Sequence, residues 1–194
     1  MRYPYETDNR RKEKLERRDR KRERIQEELS RYGSEILNSE EMRHAFTQKH
    51  HTLSTVGEHS LRVAKTSLEI CHVLQKMHIS TDIPAVVAGS LCHDLGILGR
   101  DEKYSSMKEC SVQHPVDSVT VAQKLVGNLP EKTTDIISRH MWPFGRSKAP
   151  NSLEAAIVST ADKIAAVEDF LVGYEEKKPG IRGVVQELSN RKKE

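Results

Sequence analysis

Cysteine is scarce in this chain. Cys71, Cys92 and Cys110 are the only three, and no two stand in a Cys-x-x-Cys spacing. An odd, sparse set excludes a disulfide scaffold and a thiolate zinc site, and it fits a reducing compartment. Each of the three reads as a small core residue. No apolar run approaches membrane-spanning length, and no apolar stretch near the start reads as a signal peptide. The expectation is a soluble, cytoplasmic protein with no membrane partner. Also missing are alternating strand patterns and internal repeats, which argues against a sheet protein or a solenoid.

What is present in excess is charge, and it is localised. Charged residues make up 31% of the 194 positions and apolar residues 36%, a polar balance for a globule. Residues 10 to 24, "RRKEKLERRDRKRER", hold ten Lys or Arg against four Asp or Glu, a net of +6. The whole chain carries +3, so the remainder carries −3. From 10 to about 30 there is no Gly, Pro or aromatic, and only Leu15, Ile25 and Leu29 are apolar. Such a segment makes a solvated or partner-binding helix without a core face of its own. Its net +6 leaves nucleic-acid contact through 10–24 open. The division that follows is a charged N-terminal helical arm over 1–34, ended by a break at Gly33-Ser34, a body over 35–175, and a tail over 176–194. Residues 1 to 9 read as a loose start and "NRKKE" as a frayed end.

The body reads as helix after helix. Leu61, Ala64, Leu68, Cys71 and Leu74 recur at spacings of three and four between Glu58 and Met77, with Val63 and Ile70 widening the stripe. "STDIPAVVAGSLCHDLG" has Thr81 or Asp82 as cap, Pro84 in the first turn and Gly96 as a stop. "QHPVDSVTVAQKLVGNLP" opens on Pro115 and closes on Gly127, and "PEKTTDIISRHMWP" runs between Pro130 and Pro143. "NSLEAAIVSTADKIAAVEDFL" starts on an Asn151-Ser152 cap.

Histidines and aspartates recur on these helices. His59 lies near the start of the first, on the face of Val63, Ile70 and Leu74. The pair His93-Asp94 ends the second, an apolar run. His114 opens the third, just before Pro115. His140 ends the fourth, on the face of Ile136 and Ile137. Asp162 lies inside the fifth between Val158 and Ala165. A carboxylate on an apolar face needs a compensating charge or metal. Lys163 is its neighbour but points elsewhere on a regular helix. Imidazole and carboxylate together suit Mn, Fe, Zn or Co. Two carboxylates with four histidines can hold a two-metal centre bridged by Asp94, the kind that makes hydroxide at neutral pH and clamps phosphate oxygens. His44, His50, His51, His72 and His78 read as background.

This order resembles the HD superfamily of metal-dependent phosphohydrolases. "EHSLRVAKTSLEI" looks like its first segment, "AGSLCHDLG" like the His-Asp segment that names it, and "VSTADKIAAVED" like its last. The likeness spans roughly residues 50 to 172. It implies an all-α HD-domain helical bundle. It also implies that His59, His93, Asp94 and Asp162 bind a first divalent transition metal, and that His114, His140 and a shared Asp94 bind a second, with Fe, Mn or similar ions. Hydroxide formed there would attack the phosphorus, with His93 and Asp94 at the centre of catalysis. His114 and His140 match the intermediate histidines of dinuclear branches. The lysine that HD-GYP phosphodiesterases carry soon after the pair is Ile97 or Arg100 here, and their second histidine is Met141. Cyclic di-GMP is therefore not the expected substrate, and "RHMWPFGRSKAPNSLEAAIVSTADKI" is closer to small stand-alone bacterial HD hydrolases.

The expected activity is hydrolysis of a phosphate ester or anhydride, that of a nucleotide above all. Arg62, Lys163, Arg146 and Lys148 are candidate phosphate contacts. Trp142 reads equally as a base-stacking platform or a loop anchor. Two alternatives keep the fold without the chemistry: a catalytically silent nucleotide sensor, and an RNA-associated protein using the basic arm. An oligomer is compatible with all three.

Overall fold

The computed structural model describes residues 4–50 and 54–177. The tail beyond 177 and His51 lie outside the described residues. Among the described residues eight α-helices follow one another: α1 (Pro4–Leu37), α2 (Glu40–Ala45), α3 (Val56–Lys76), α4 (Ile83–Cys92), α5 (Arg100–Lys103), α6 (Met107–Val126), α7 (Glu131–Arg139) and α8 (Leu153–Lys177), with a 3-10 turn at Leu95–Ile97. Among the described residues no strand forms, and one isolated bridge joins Lys49 to Thr55. No described helix is long and apolar enough to cross a membrane.

The helix α4 is the hub. It is apolar on nearly every side, and Ala85, Val86, Val87, Leu91 and Cys92 are all buried. One cluster packs it against α1, α2 and α6 through Leu29, Met42, Leu91, Leu95 and Ala122. A second packs it against α3, α7 and α8 through Val63, Val86, Ile136, Val158 and Ala161. Asp82 caps it by accepting from the Ala85 N–H, with Pro84 in the first turn. It stops at Cys92, four residues before the expected Gly96. His93 and Asp94 thus sit where the helix hands over to the 3-10 turn. The three cysteines are free and buried.

Two expectations fail here for packing reasons. Gly33-Ser34 is no break: α1 runs straight through it, from Pro4 rather than after a loose start. The glycine is there for approach, since a Cβ on it would lie 2.7 Å from Leu91 Cδ1. Ile25, Leu29 and Ile36 form a buried stripe, so the second half of α1 belongs to the core and position 34 falls inside one helix. Arg24 Nη2 donates to Gln75 Oε1 at 2.6 Å, and Lys21 Nζ lies 2.9 Å from Glu69. From Asp8 to Arg24 the helix is exposed. Leu29→Ala is expected to cost about 2–5 kcal/mol in a denaturant melt. Truncation just before Lys21 removes the exposed stretch from Asp8 to Arg20 and should change stability by less than about 1 kcal/mol.

The second failure is Pro115, which does not open its helix. Ser106 caps α6 by accepting from the Glu109 N–H, and Pro115 lies inside. Proline frees the carbonyl four residues back, that of Ser111. Gly145, from the loop after α7, packs against that oxygen so closely that a Cβ would lie 2.6 Å from it. The end of α6 and the start of α8 match expectation. Gly127 closes α6 at φ 70°, and Ser152 accepts from the Ala155 N–H at the start of α8.

Candidate metal centre

His59, His93, Asp94, His114, His140 and Asp162 meet in one place, and each is held by local structure. A Thr55–Glu58 capping box starts α3 and sets His59 in its first turn. His93 and His140 are the C-terminal caps of α4 and α7. Their Nδ1–H groups donate to carbonyls of their own helices, Ser90 O at 2.8 Å and Ile137 O at 2.7 Å. His114, inside α6, does the same to Cys110 O at 2.8 Å. With Nδ1 the donor, each Nε2 is left with a lone pair.

These lone pairs face oxygen atoms that also only accept. Asp94 divides its carboxylate: Oδ1 lies 3.2 Å from His114 Nε2 and 3.4 Å from His140 Nε2. Its Oδ2 lies 3.3 Å from His93 Nε2 and 3.9 Å from His59 Nε2. Asp162 Oδ1 is 2.9 Å from His59 Nε2 and 3.7 Å from His93 Nε2. The Nε2 atoms of His114 and His140 stand 3.0 Å apart. His93 Nε2 is buried and makes no hydrogen bond. A buried set of facing acceptors requires cations. Several three-atom groups have metal-ligand spacing, among them His59, His93 and Asp162, and His93, Asp94 and His140. The donor set therefore fits divalent metal, with one Asp94 oxygen on each side.

Without metal, protons take the cation's place. Burial pushes His93 down, but Asp94 and Asp162 overcome it and raise its pKa to about 10. His59 is also raised, burial being outweighed by Asp162, Asp169 and Asp94. Burial would lift Asp94 and Asp162, yet the facing histidines hold both well below the usual carboxylate range. In His140, burial prevails and the value falls. A raised His93 contributes stability that is complete below its unfolded value of 6.5 and lost as pH rises through about 10. Metal binding runs the other way, because a ligand nitrogen must shed that proton. Calorimetry in buffers of different ionisation enthalpy should show at least one proton released per chain near neutral pH. Metal affinity should climb by about tenfold per pH unit toward that limit.

The remaining sequence candidates are placed differently. Lys163 does not point away from Asp162: its Nζ lies 3.0 Å from Asp162 Oδ2 and also donates to His140 O. A long flexible stem reaches what helical spacing alone denies. Arg62 faces the far side of His59. It pairs with Asp169, which accepts from His59 Nδ1–H at 3.2 Å and from Ser54 Oγ–H at 3.1 Å. The buried Asp169 thus orients His59 from behind, two turns along α8 from Asp162, a spacing readable in "DKIAAVED". Arg146 and Lys148 line a separate groove with Arg139.

A cleft of about 280 Å³ opens on the centre, lined on its apolar side by Ile97, Met107, Met141 and Phe144. Trp142 is not among its lining residues. The chain passes Met141 and Phe144 to the cleft on either side of Trp142-Pro143, and Ser159 Oγ–H ties down the Trp142 carbonyl. The cleft is also lined by His50, one of the histidines read from the sequence as background; it lies on no helix.

A family model described as HD domain matches residues 56–167. No curated protein and no solved structure matches the chain.

Proposed function

From the chain's membership of the HD-domain family, composed mostly of metal-dependent hydrolases, we propose that it is a two-metal phosphohydrolase acting on a phosphate ester or anhydride. The observation that carries the reading is the divided carboxylate of Asp94, with His114 and His140 on one oxygen and His93 and His59 on the other. His59, His93, Asp94 and Asp162 would hold one ion of Fe, Mn or similar character, and Asp94, His114 and His140 the other. Bound divalent metals supply a hydroxide nucleophile at neutral pH and neutralise phosphate oxygens.

The chain's own groups supply position and exclusion. Three Nδ1–H bonds to helix carbonyls lock the ligand rings, and Asp169 locks His59. Lys163, at the cleft edge, offers a cation to a phosphate oxygen. The thioethers of Met107 and Met141 and the ring of Phe144 form an adaptable apolar wall, which suits a nucleobase or a comparable flat apolar group.

The test is turnover. Protein loaded with Mn or Fe is assayed on nucleoside mono-, di- and triphosphates and on p-nitrophenyl phosphate, before and after chelation. Hydrolysis lost on chelation and restored by metal is expected. Nucleotide binding without turnover in the metal-loaded protein would replace this reading with that of a sensor.

A further inference from the structure

We infer that His50 is a seventh protein ligand of the metal centre, on the side of Asp94 shared with His59 and His93; the inference rests on the metal reading above. His50 precedes the matched residues 56–167 and lies in the connection between α2 and α3, so neither family nor helical spacing marks it. Its Nε2 lies 3.3 Å from Asp94 Oδ2, and its ring centroid 4.5 Å from that of His59. His50, His59 and Asp94 offer three ligand atoms within 4.8 Å of one another.

The backbone at this point is built to hold that position. Gln48 straddles the turn after the His-Asp pair: its Nε2–H donates to Ile97 O at 3.0 Å, and its Oε1 accepts from the Gly99 N–H at 2.7 Å. Arg100 Nη1–H donates to His50 O at 3.2 Å. From the other direction, the His50 N–H donates to Ser54 O at 2.9 Å and the Val56 N–H to Gln48 O at 3.0 Å. The segment is therefore clipped both to the exit of α4 and to the entry of α3, the two elements that carry His93-Asp94 and His59. A histidine that merely fills surface has no need of such a frame.

A chemical asymmetry follows. With His50, the ion on the His59 side has five protein ligands: His50, His59, His93, Asp94 and Asp162. The other has three: Asp94, His114 and His140. An ion that takes six ligands would be nearly closed in the first case and widely open in the second. The cleft reaches both sides: His114 and His140 line it, and so do His50, Asp94 and Asp162, while His59 and His93 do not. By ligand number, the open positions for a substrate oxygen would lie on the His114–His140 side.

Cobalt(II) titration of the full chain reads ligation without activity. Wild type, His50→Ala and His50→Gly are compared by visible absorption, with circular dichroism of the metal-free proteins to establish folding. The expected result is about 10–100-fold weaker affinity for one of two ions, with a changed cobalt band for that ion. Exogenous imidazole should return the wild-type band in His50→Gly. Affinities within twofold of wild type with an unchanged spectrum would overturn the inference, and so would weaker binding with the wild-type cobalt band. A wild type that binds no metal overturns this inference and the functional reading together. A wild type that binds two ions beside an unaltered His50→Ala overturns this inference alone.

Discussion

Asp94→Asn is expected to break the two-metal centre and abolish hydrolysis while leaving a folded protein. The substitution keeps shape and volume, so the surrounding helices need not move. It replaces one acceptor oxygen by a donor nitrogen, and both oxygens of this carboxylate are in use. An amide facing His114 and His140 donates to their lone pairs, which satisfies the metal-free site but blocks that half of the centre. An amide facing the other way does the same to His93. In either orientation one ion loses its bridge and the pair loses a full negative charge. Elemental mass spectrometry should show about two ions per chain in the wild type and at most one in the variant. Turnover should fall by about 10³-fold or more, the scale for removing a preorganised charge-stabilising group. The metal-free variant should also differ in acid. Wild-type Asp94, held well below the usual range, contributes stability that is present above its unfolded value and lost as pH falls through the folded one. The variant lacks that limb, so its melting temperature should vary less between neutral and acid pH.

Gly96→Ala should split the centre without touching a ligand. The Gly96 N–H donates to Ser118 Oγ at 2.8 Å, drawing the 3-10 turn onto α6. A Cβ there would lie 2.4 Å from both His114 O and Ser118 N. These are backbone atoms of a helix and cannot rotate away. Relief requires α6 to withdraw, and His114 withdraws with it from Asp94 Oδ1. The expected cost is about 1–3 kcal/mol or more in a denaturant melt. Metal content should fall from two ions toward one, because the His59, His93 and Asp162 side is carried by other helices. Gly99→Ala is the contrast. Its Cβ would meet only Lys103 Cδ at 3.8 Å, though φ is +70°. It should cost on the order of 1 kcal/mol for the left-handed backbone and keep both ions. Two ions retained in Gly96→Ala would mean that α6 does not carry the second half of the site.

The residues that converge were legible because helices report their faces. His59 shares a stripe with Val63, and Asp162 with Val158, so burial could be read from spacing alone. His93 and Asp94 were legible as a pair that no regular helix face could hold, and the structure ends α4 at Cys92. What escaped was contact that depends on tertiary approach. Gly33 and Gly96 looked like punctuation, yet each marks a place where another element comes within a methyl group's width. Pro115 looked like a helix start because its missing N–H is harmless there, while the structure accommodates it inside α6 against Gly145. Arg62 and Lys163 were assigned by charge, but their partners, Asp169 and Asp162, were set by reach. His50 had no periodicity to betray it, since a loop residue gains its neighbours only when the chain closes.

The two helices that end on His93 and His140 bring their C-termini, the negative ends of their dipoles, to the same point. Every positive group the chain places there already has a partner: His93 and His59 have Asp94 and Asp162, and Lys163 has Asp162 and the His140 carbonyl. In the metal-free centre these cationic groups are engaged, and Lys163 would turn to a phosphate once metal takes up Asp162. On the hydrolase reading proposed above, assembly would be ordered, cation before anion, with readiness set by metal supply before substrate concentration counts.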